Sequence, residues 1–531
     1  MLAFAFFRFR YEIARDPEVV IGVWPTEAHC FVSVQNGMFG LAVIPKPQLQ
    51  PQSGVPLYQQ LYAHIMELIR SGSLQRGERL PPTRELAGLL GLNRTTVSAA
   101  YELLESEGLI AGHVGRGSFV TGDSVHASGL NWDGILEASV PQPVIGGGGE
   151  PISFAVSRPA AELFPTEDFR ASCREVMGSA DLGSILQLGS PGGYEPLRQY
   201  LLEEGRREGV VRPGDDLIIT SGCQQALDLI RRVLIRPGDR VLVEEPVYPG
   251  LRNLFAEAGA ELAGVAIHED GMDLGQLERL AAKGPCKALV VAPNFQNPTG
   301  TTLSREGREA VLRQARHAGA VLIENDIYGQ LRYTGRPLAT LKEMDETGDT
   351  ILLRSFSKIS FPGLRVGWAI GPRAVIARMM EAKHLSDLHS DQFSQAVLLR
   401  FATSGRLAVH HARVLVAGMK RLQAVVGACE RFLPRGTRFT RPEGGMNLWV
   451  WLPEPLDAGE LLGRAQREGV SYYPGKYFAV NRPEPGSLRL SFAGLDPADI
   501  EKGVRILGEI FSSEWKRLRS SWKREPAPAM V

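Results

Sequence analysis

The chain has 531 residues, which is too long for one hydrophobic core and predicts two or three domains. Its 59 basic and 59 acidic side chains balance, so composition alone gives no sign of nucleic-acid binding. The five cysteines are scattered and form no Cys-x-x-Cys pair, which argues against a disulfide framework or a zinc site and favours a reducing cytoplasm.

Three helical stretches and a hairpin are predicted between residues 55 and 122. Apolar residues recur at helical spacing over 57–69. A second, short helix is predicted over 83–90. A tight turn follows, and Arg94 starts a third helix. Residues 109–120 then have the pattern of a two-stranded wing that turns at a Gly-Arg-Gly sequence.

This order of elements is that of a helix-turn-helix, in which the first residues of the second helix meet base edges. Arg84 can reach phosphate or guanine from the supporting helix. Arg94, Thr95 and Thr96 lie where backbone N–H groups also favour phosphate. Arg116 lies at the wing tip, in position to enter the minor groove. The alternative is a small protein-binding helical bundle, since six arginines in this stretch are matched by six glutamates.

The distribution of charge favours DNA binding over that alternative. Three of the glutamates lie in the far half of the third helix, so its leading end and the wing remain positive. Four motifs in this stretch also resemble the winged helix of GntR-type bacterial repressors; they cover residues 55–58, 80–87, 93–97 and 108–120. The resemblance implies that this domain binds double-stranded operator DNA.

Beyond a glycine-rich stretch at 123–150, short apolar runs alternate with stretches of helical length. This alternation predicts an α/β domain with a mainly parallel sheet that is covered on both faces. The last part, from about 395 to 513, predicts a smaller α/β lobe. The predicted strands of the large sheet are 216–220, 240–243, 288–291, 320–323 and 350–353.

Polar residues near the ends of these strands meet the needs of a pyridoxal phosphate site: an imine-forming lysine, an acid for the pyridine nitrogen, donors for the phenolic oxygen, a stacking ring and a phosphate cradle. Lys358 would form the imine, and Asp326 would pair with the ring nitrogen. Tyr328 and Asn297 are the predicted donors to the phenolic oxygen. Tyr248 would lie across the ring.

The phosphate cradle is predicted at a turn from a strand into a helix, where N–H groups and the helix dipole favour anions. Each of these signals is weak alone, because Asn-Pro-Thr-Gly is an ordinary turn sequence and a buried tyrosine usually belongs to a core. The predicted cradle residues are Gly222, Cys223, Gln224, Ser355, Ser357 and Arg365.

In order and spacing, these motifs resemble the fold-type I aminotransferases, particularly the branch with kynurenine and aminoadipate aminotransferases. The resemblance implies that Lys358 is the Schiff-base residue and that Arg489 binds the substrate α-carboxylate, for which a guanidinium has suitable bidentate geometry. A salt bridge at a strand edge is the structural alternative for Arg489. Leu188 departs from the family pattern, which has a tyrosine there that reaches the partner subunit's cofactor phosphate.

Together the two halves resemble the MocR subfamily of GntR-type transcriptional regulators. The resemblance implies a bacterial, cytoplasmic, head-to-tail homodimer with pyridoxal 5'-phosphate as cofactor. Our hypothesis is a regulator that senses an amino compound, or the cofactor itself, through external aldimine formation at Lys358. The alternatives are an active aminotransferase with an appended DNA-binding module, and a regulator whose cofactor is only structural.

The predicted architecture is therefore multidomain: an α+β winged helix-turn-helix precedes an α/β fold of the pyridoxal-phosphate-dependent transferase type I, with a large mixed or parallel sheet and a smaller C-terminal lobe. The predicted segments are an extension of unknown role (1–54), the winged helix (55–122), a flexible linker (123–150), the aminotransferase-like domain (151–513) and a basic tail (514–531).

Overall fold

The computed structural model describes residues 55–113, 117–121, 151–269 and 271–522, together with the single positions 44, 47 and 49. The chain divides into two compact units, Met1–Pro141 and Gln142–Val531. Most of the predicted extension, the predicted linker, the wing tip with Arg116 and the end of the basic tail lie outside the described residues. No helix within the described ranges is long and apolar enough to cross a membrane.

The first unit has the predicted winged helix-turn-helix fold. The apolar faces of its three helices meet in one core that includes Ile65, Val97 and Leu104. Helix α3 begins where Asn93 caps it, because the Asn93 side chain accepts a hydrogen bond from the Thr95 N–H at 3.2 Å. The elements are α1 (Leu57–Arg70), α2 (Thr83–Leu90), α3 (Arg94–Ser106) and the antiparallel strands β1 (Ile110–His113) and β2 (Gly117–Val120).

An eight-stranded sheet organises the second unit, in the order β4-β11-β10-β9-β8-β5-β6-β7. Five neighbouring strands, β10, β9, β8, β5 and β6, run parallel, while β11 runs antiparallel to β4 and β10. The sheet is therefore mixed with a parallel centre. Its strands are β4 (Asp215–Thr220), β5 (Arg240–Glu245), β6 (Glu261–His268), β7 (Gly271–Met272), β8 (Ala288–Val291), β9 (Val321–Asn325), β10 (Ile351–Ser355) and β11 (Gly367–Pro372), and the two-residue β3 (Ile152–Ser153) precedes them.

Helices cover both faces of this sheet, as the alternation of strands and helices predicts. Along β10, Ile351 and Leu353 pack in one core with Ile230 and Ile376, whereas Leu352 packs in a different core on the opposite face. The helices of this domain are α4 (Thr166–Met177), α5 (Leu182–Ile185), α6 (Glu195–Arg207), α7 (Cys223–Leu234), α8 (Pro249–Glu257), α9 (Leu274–Ala281), α10 (Arg305–His317), α11 (Leu341–Met344), α12 (Arg373–Asp387) and α13 (Gln392–Thr403).

A smaller lobe completes the second unit, as predicted. Its four-stranded antiparallel sheet has the order β12-β13-β16-β15, and the long helices α14 and α16 pack together beside it. Helix α16 continues through residue 513, where the sequence predicted the start of a tail. The elements are α14 (Arg406–Phe432), β12 (Arg438–Phe439), β13 (Asn447–Trp451), α15 (Ala458–Arg467), β14 (Val470–Ser471), β15 (Tyr473–Pro474), β16 (Ser487–Ser491) and α16 (Pro497–Trp522).

Candidate functional site

A cavity of about 530 Å³ lies in the second unit, at the carboxyl ends of the parallel strands. Its wall brings together residues that follow β5, β8, β9 and β10, which are far apart in the chain. Ten of the residues that the sequence singled out line it: Lys358, Tyr328, Asn297, Tyr248, Cys223, Gln224, Ser355, Ser357, Arg365 and Arg489.

Lys358 ends a short 3-10 turn, Phe356–Lys358, directly after β10. Its Nζ donates a hydrogen bond to the Ser157 carbonyl oxygen at 2.9 Å and lies 5.5 Å from the centre of the Tyr328 ring. Among the described residues, no carboxylate forms a salt bridge with it. The turn therefore holds a half-buried amine inside the cavity, hydrogen-bonded to a backbone carbonyl.

Tyr328 is 2% exposed, and its hydroxyl lies 3.3 Å from Ser157 Oγ. Burial acts to raise the pKa of this phenol, but the nearby Lys358 charge, the Ser157 hydrogen bond and the Arg489 charge outweigh it, so the pKa lies below its ordinary value. The hydroxyl is thus suited to donate to an anionic oxygen.

Arg489 lies on β16 and is 5% exposed. Its Nη1 donates to Asn297 Oδ1 at 3.0 Å and its Nη2 donates to the Ala155 carbonyl, while its buried Nε has no partner in the described part of the chain. Burial lowers its pKa. The salt bridge that was the structural alternative is not formed with any described carboxylate. A buried guanidinium without a counter-ion favours binding of an anion from outside the chain.

The predicted phosphate cradle forms at the start of α7, with one change. The Gly222 N–H donates to the Thr220 carbonyl at 2.8 Å, so it is not available to a ligand. Gly222 instead leaves space, because a Cβ there would lie 2.5 Å from Arg365 Nη2. The N–H groups of Cys223 and Gln224 have no acceptor among the described residues, and they lie at the positive end of the helix dipole.

The structure does not bring the Asp326 carboxylate to the cavity wall, contrary to the sequence prediction. Its Oδ1 accepts from Asn294 Nδ2 at 2.8 Å, and its Oδ2 accepts from Arg354 Nε at 3.3 Å. The physical reason is strand alternation, since neighbouring residues on a strand point to opposite faces. Asn325, which the prediction passed over, lines the cavity instead.

Other cavity residues were also missed by the sequence prediction. Ser157, Tyr473 and Phe478 come from segments that precede or follow the large sheet and carry no motif. Tyr473 and Phe478 flank the Arg489 guanidinium, with ring centres 5.3 and 5.1 Å from its Cζ. Only Asn325 had a signal in the sequence, the alternation along its strand.

The first unit exposes the side chains that were predicted to contact DNA. Arg84 on α2 and Arg94 and Thr95 at the start of α3 are exposed, while Thr96 is half-buried. Arg116 lies outside the described residues. The leading end of α3 is therefore open for contact, with the helix dipole adding to the positive charge of Arg94.

Two family models match the chain, one for each unit. Residues 57–120 match the bacterial regulatory proteins of the gntR family, and residues 165–507 match the class I and II aminotransferases. Among solved structures, Pyrococcus horikoshii kynurenine aminotransferase in complex with PMP is similar, with 35% identity and a TM-score of 0.67. That match covers 69% of this chain and 92% of the aminotransferase chain.

The aminotransferase match makes pyridoxal 5'-phosphate the cofactor of the second unit. The residues present fit this group. Within the described ranges, the cavity holds an amine without a carboxylate partner at Lys358, unpaired helix-terminal N–H groups beside Arg365, and a buried amide oxygen without a partner at Asn325. These are complementary to an aldehyde, a phosphate and a polar ring atom.

This chain also matches regulators of the same two-part architecture over nearly the whole length of those regulators. The uncharacterized HTH-type transcriptional regulator YdcR of Escherichia coli is 30% identical over 471 residues, which cover 85% of this chain and 98% of YdcR. The probable rhizopine catabolism regulatory protein MocR of Rhizobium meliloti is 28% identical, covering 87% of this chain and 95% of MocR. The chain therefore belongs to the MocR subfamily of GntR-type transcriptional regulators, in which a DNA-binding winged helix is joined to a fold-type I aminotransferase-like domain.

Proposed function

We propose that this pyridoxal-phosphate-dependent regulator senses an amino compound, or the cofactor itself, through Lys358, and that the change at Lys358 alters its binding to operator DNA. The observation that carries the proposal is the presence of an amine and a guanidinium group in one cavity, both without a carboxylate partner among the described residues. The amine is that of Lys358, and the guanidinium is that of the buried Arg489. The first suits a carbonyl compound, and the second suits a carboxylate.

Pyridoxal phosphate, when bound, supplies an aldehyde carbon at which one amine can replace another. Different residues of the cavity would bind different parts of the cofactor. Lys358 would hold the aldehyde carbon, and Tyr328 with Asn297 would donate to the phenolic oxygen. Tyr248, 37% exposed, would cover the ring. The phosphate would bind the N–H groups of Cys223 and Gln224 together with Ser355, Ser357 and Arg365.

The effector class follows from Arg489. Its guanidinium is buried between Tyr473 and Phe478, and its hydrogen bonds to Asn297 and Ala155 leave Nε without a partner among the residues that the structure describes. A carboxylate could take up the available N–H groups of this fork. We therefore propose an α-amino acid, which carries an amine for the site of Lys358 and a carboxylate for Arg489.

Operator contact would come from Arg84, Arg94, Thr95 and Thr96 of the winged helix, with Arg116 entering the minor groove. A tenfold change in operator affinity requires about 1.4 kcal/mol of differential binding between two states of the regulator. One carboxylate contact can supply that amount. The proposal includes a head-to-tail homodimer in the bacterial cytoplasm, and Leu186 and Leu188, which are 68% and 72% exposed, are available for subunit contact.

A second candidate is a working aminotransferase, favoured by the similarity to kynurenine aminotransferase. Lys358 Nζ could then also carry a proton between neighbouring atoms of the substrate and the cofactor once released from its covalent bond. Steady transamination of common amino acids by the purified protein, without operator binding, would support this candidate against the regulator.

The experiment compares the wild type with Lys358→Ala, Arg489→Gln and the exposed control Lys420→Ala. DNase protection on genomic DNA fragments maps the operator, and absorbance follows the bound cofactor. We expect Lys358→Ala to lose the visible imine band and the response to amino acids, while retaining operator binding. Arg489→Gln should retain the band and lose the response, and Lys420→Ala should match the wild type. A Lys358→Ala protein that has lost the band and still responds normally would contradict sensing through Lys358.

A further inference from the structure

We infer that Asn325, and not the acidic Asp326, faces the aromatic nitrogen of the bound cofactor, so that this site holds the ring with a neutral amide in place of a carboxylate. The inference rests on the proposed function, because it concerns how the same cavity is tuned. It assigns to Asn325 the task of setting the charge state of the ring, and it explains why a site that can bind an amine need not turn it over.

Strand alternation places the two side chains on opposite faces of the sheet. Ile323 packs in the same core as Leu353 of the neighbouring strand. Asn325 lies two residues beyond Ile323 and pairs in register with Leu353, so it shares their face. Ser355, two residues beyond Leu353, lines the cavity on that face, and so does Asn325. Asp326 is the next residue along the chain, so its side chain points to the opposite face.

The Asp326 carboxylate already has hydrogen-bond partners on the face of the sheet opposite to Asn325. Its carboxylate accepts hydrogen bonds from Asn294 and Arg354, and Asn294 Oδ1 in turn accepts from Arg308 Nη2 at 2.7 Å. The side chains of Asp326 and Arg354 are 3% and 13% exposed. This buried network, with two guanidinium groups, satisfies the Asp326 carboxylate. Turning that carboxylate toward the cavity would break its hydrogen bonds to Asn294 and Arg354.

Unlike the Asp326 carboxylate, the side-chain oxygen of Asn325 is not hydrogen-bonded within the described residues. Asn325 is 9% exposed, and its Oδ1 is buried. A buried amide oxygen without a partner is unfavourable unless a ligand or an ordered water satisfies it. Lys358, Tyr328 and the start of α7 already match the other polar groups of the cofactor. The ring nitrogen is the polar atom left for Asn325.

An amide and a carboxylate have different effects on that nitrogen. A carboxylate in a buried site strongly favours the protonated, cationic ring. An amide can accept from the protonated nitrogen through Oδ1 or donate to the neutral one through Nδ2, and it carries no charge that favours either. The ring should therefore lose its proton more readily here and withdraw electrons less. Replacement of one amine by another at the aldehyde carbon does not need that withdrawal, whereas transamination does.

The test uses the full chain reconstituted with pyridoxal phosphate that is ¹⁵N-labelled in the ring, with the ring nitrogen observed by NMR. We expect a neutral-pyridine resonance in the wild type and a shift to the pyridinium region in Asn325→Asp. The matched variant Asp326→Asn, one residue away, should leave the resonance unchanged. A pyridinium resonance in the wild type that Asp326→Asn abolishes would overturn the inference.

The outcomes separate this inference from the proposed function. A wild-type chain that binds no cofactor, or that ignores every amine tested, contradicts the proposed function, whatever the ring nitrogen does. A wild type that binds and responds while showing a pyridinium resonance contradicts only the role of Asn325. If Asp326→Asn fails to fold because its arginine network is disturbed, the wild-type and Asn325→Asp resonances decide alone: an unchanged resonance in Asn325→Asp would contradict the inference.

Discussion

The winged helix and the cavity place their candidate functional arginines in opposite surroundings. Arg84 and Arg94 of the first unit are exposed, whereas Arg489 of the second unit is 5% exposed and has no carboxylate partner among the described residues. An exposed arginine contributes little to its own domain's stability and is available for a phosphate. A buried arginine affects the fold as well as the ligand. Substitution of an exposed arginine in the first unit should therefore change DNA binding without changing stability. Substitution of buried charged residues in the second unit should change both ligand binding and stability.

The largest effect should come from the buried network below the cavity. Asp326→Ala removes the acceptor of two buried donors, Asn294 Nδ2 and Arg354 Nε, and leaves Arg354 with Glu208 as its remaining carboxylate partner, so we expect a loss of about 3 kcal/mol in the free energy of unfolding. Urea denaturation measures it. The control is Glu204→Ala, which breaks the more exposed pair with Arg207 and should cost at most about 1 kcal/mol. Equal losses in both variants would remove the contrast between buried and exposed charges.

Arg94→Ala tests whether an exposed arginine of the winged helix affects DNA binding without affecting stability. Loss of one phosphate or base contact should weaken operator binding by about 2 kcal/mol, or roughly thirtyfold, with the unfolding free energy and the cofactor absorbance unchanged. Fluorescence anisotropy with operator DNA measures it, and its salt dependence should become less steep. Arg70→Ala, an exposed change at the end of α1, is the control. A variant that loses stability together with affinity would show that Arg94 also supports the fold.

Gly222→Ala should have the smallest effect, on cofactor affinity. The added Cβ would lie 2.5 Å from Arg365 Nη2, and displacing that guanidinium should weaken pyridoxal phosphate binding about tenfold, equivalent to about 1.4 kcal/mol. Gly238→Ala is matched, since Gly238 has a similar positive φ of 82° and no atom within 4 Å of the added Cβ. Both variants carry backbone strain. If both weaken cofactor binding equally, strain and not the displaced guanidinium is responsible.

Much of the architecture could be predicted from local patterns. The helical spacing over 57–69 and the apolar runs of the large sheet correspond to observed elements, because periodicity reports directly which face of an element is buried. The antiparallel insertion of β11 into that sheet could not be predicted in the same way. Strand order depends on long-range contacts, and a buried strand looks the same in sequence whether its neighbour is parallel or antiparallel.

The candidate site shows the same limit at single-residue scale. Motifs at the strand ends were sufficient to gather Lys358, Tyr328 and Arg365 at one cavity, because parallel strands end at the same edge. They were insufficient for Asp326 and Gly222. The direction of a side chain at a strand end depends on where the strand stops, and β9 continues to Asn325. Gly222 uses its own N–H within the turn.

By itself, the sequence determined the two-part architecture, the family and the placement of Lys358 directly after a strand, because each depends on local patterns and on their order along the chain. Tertiary structure alone decided which of two adjacent polar residues lines the cavity and which of the described arginines lack a counter-ion. Those properties depend on the face of a strand and on groups brought from distant segments, and a shift of one residue along a strand reverses them.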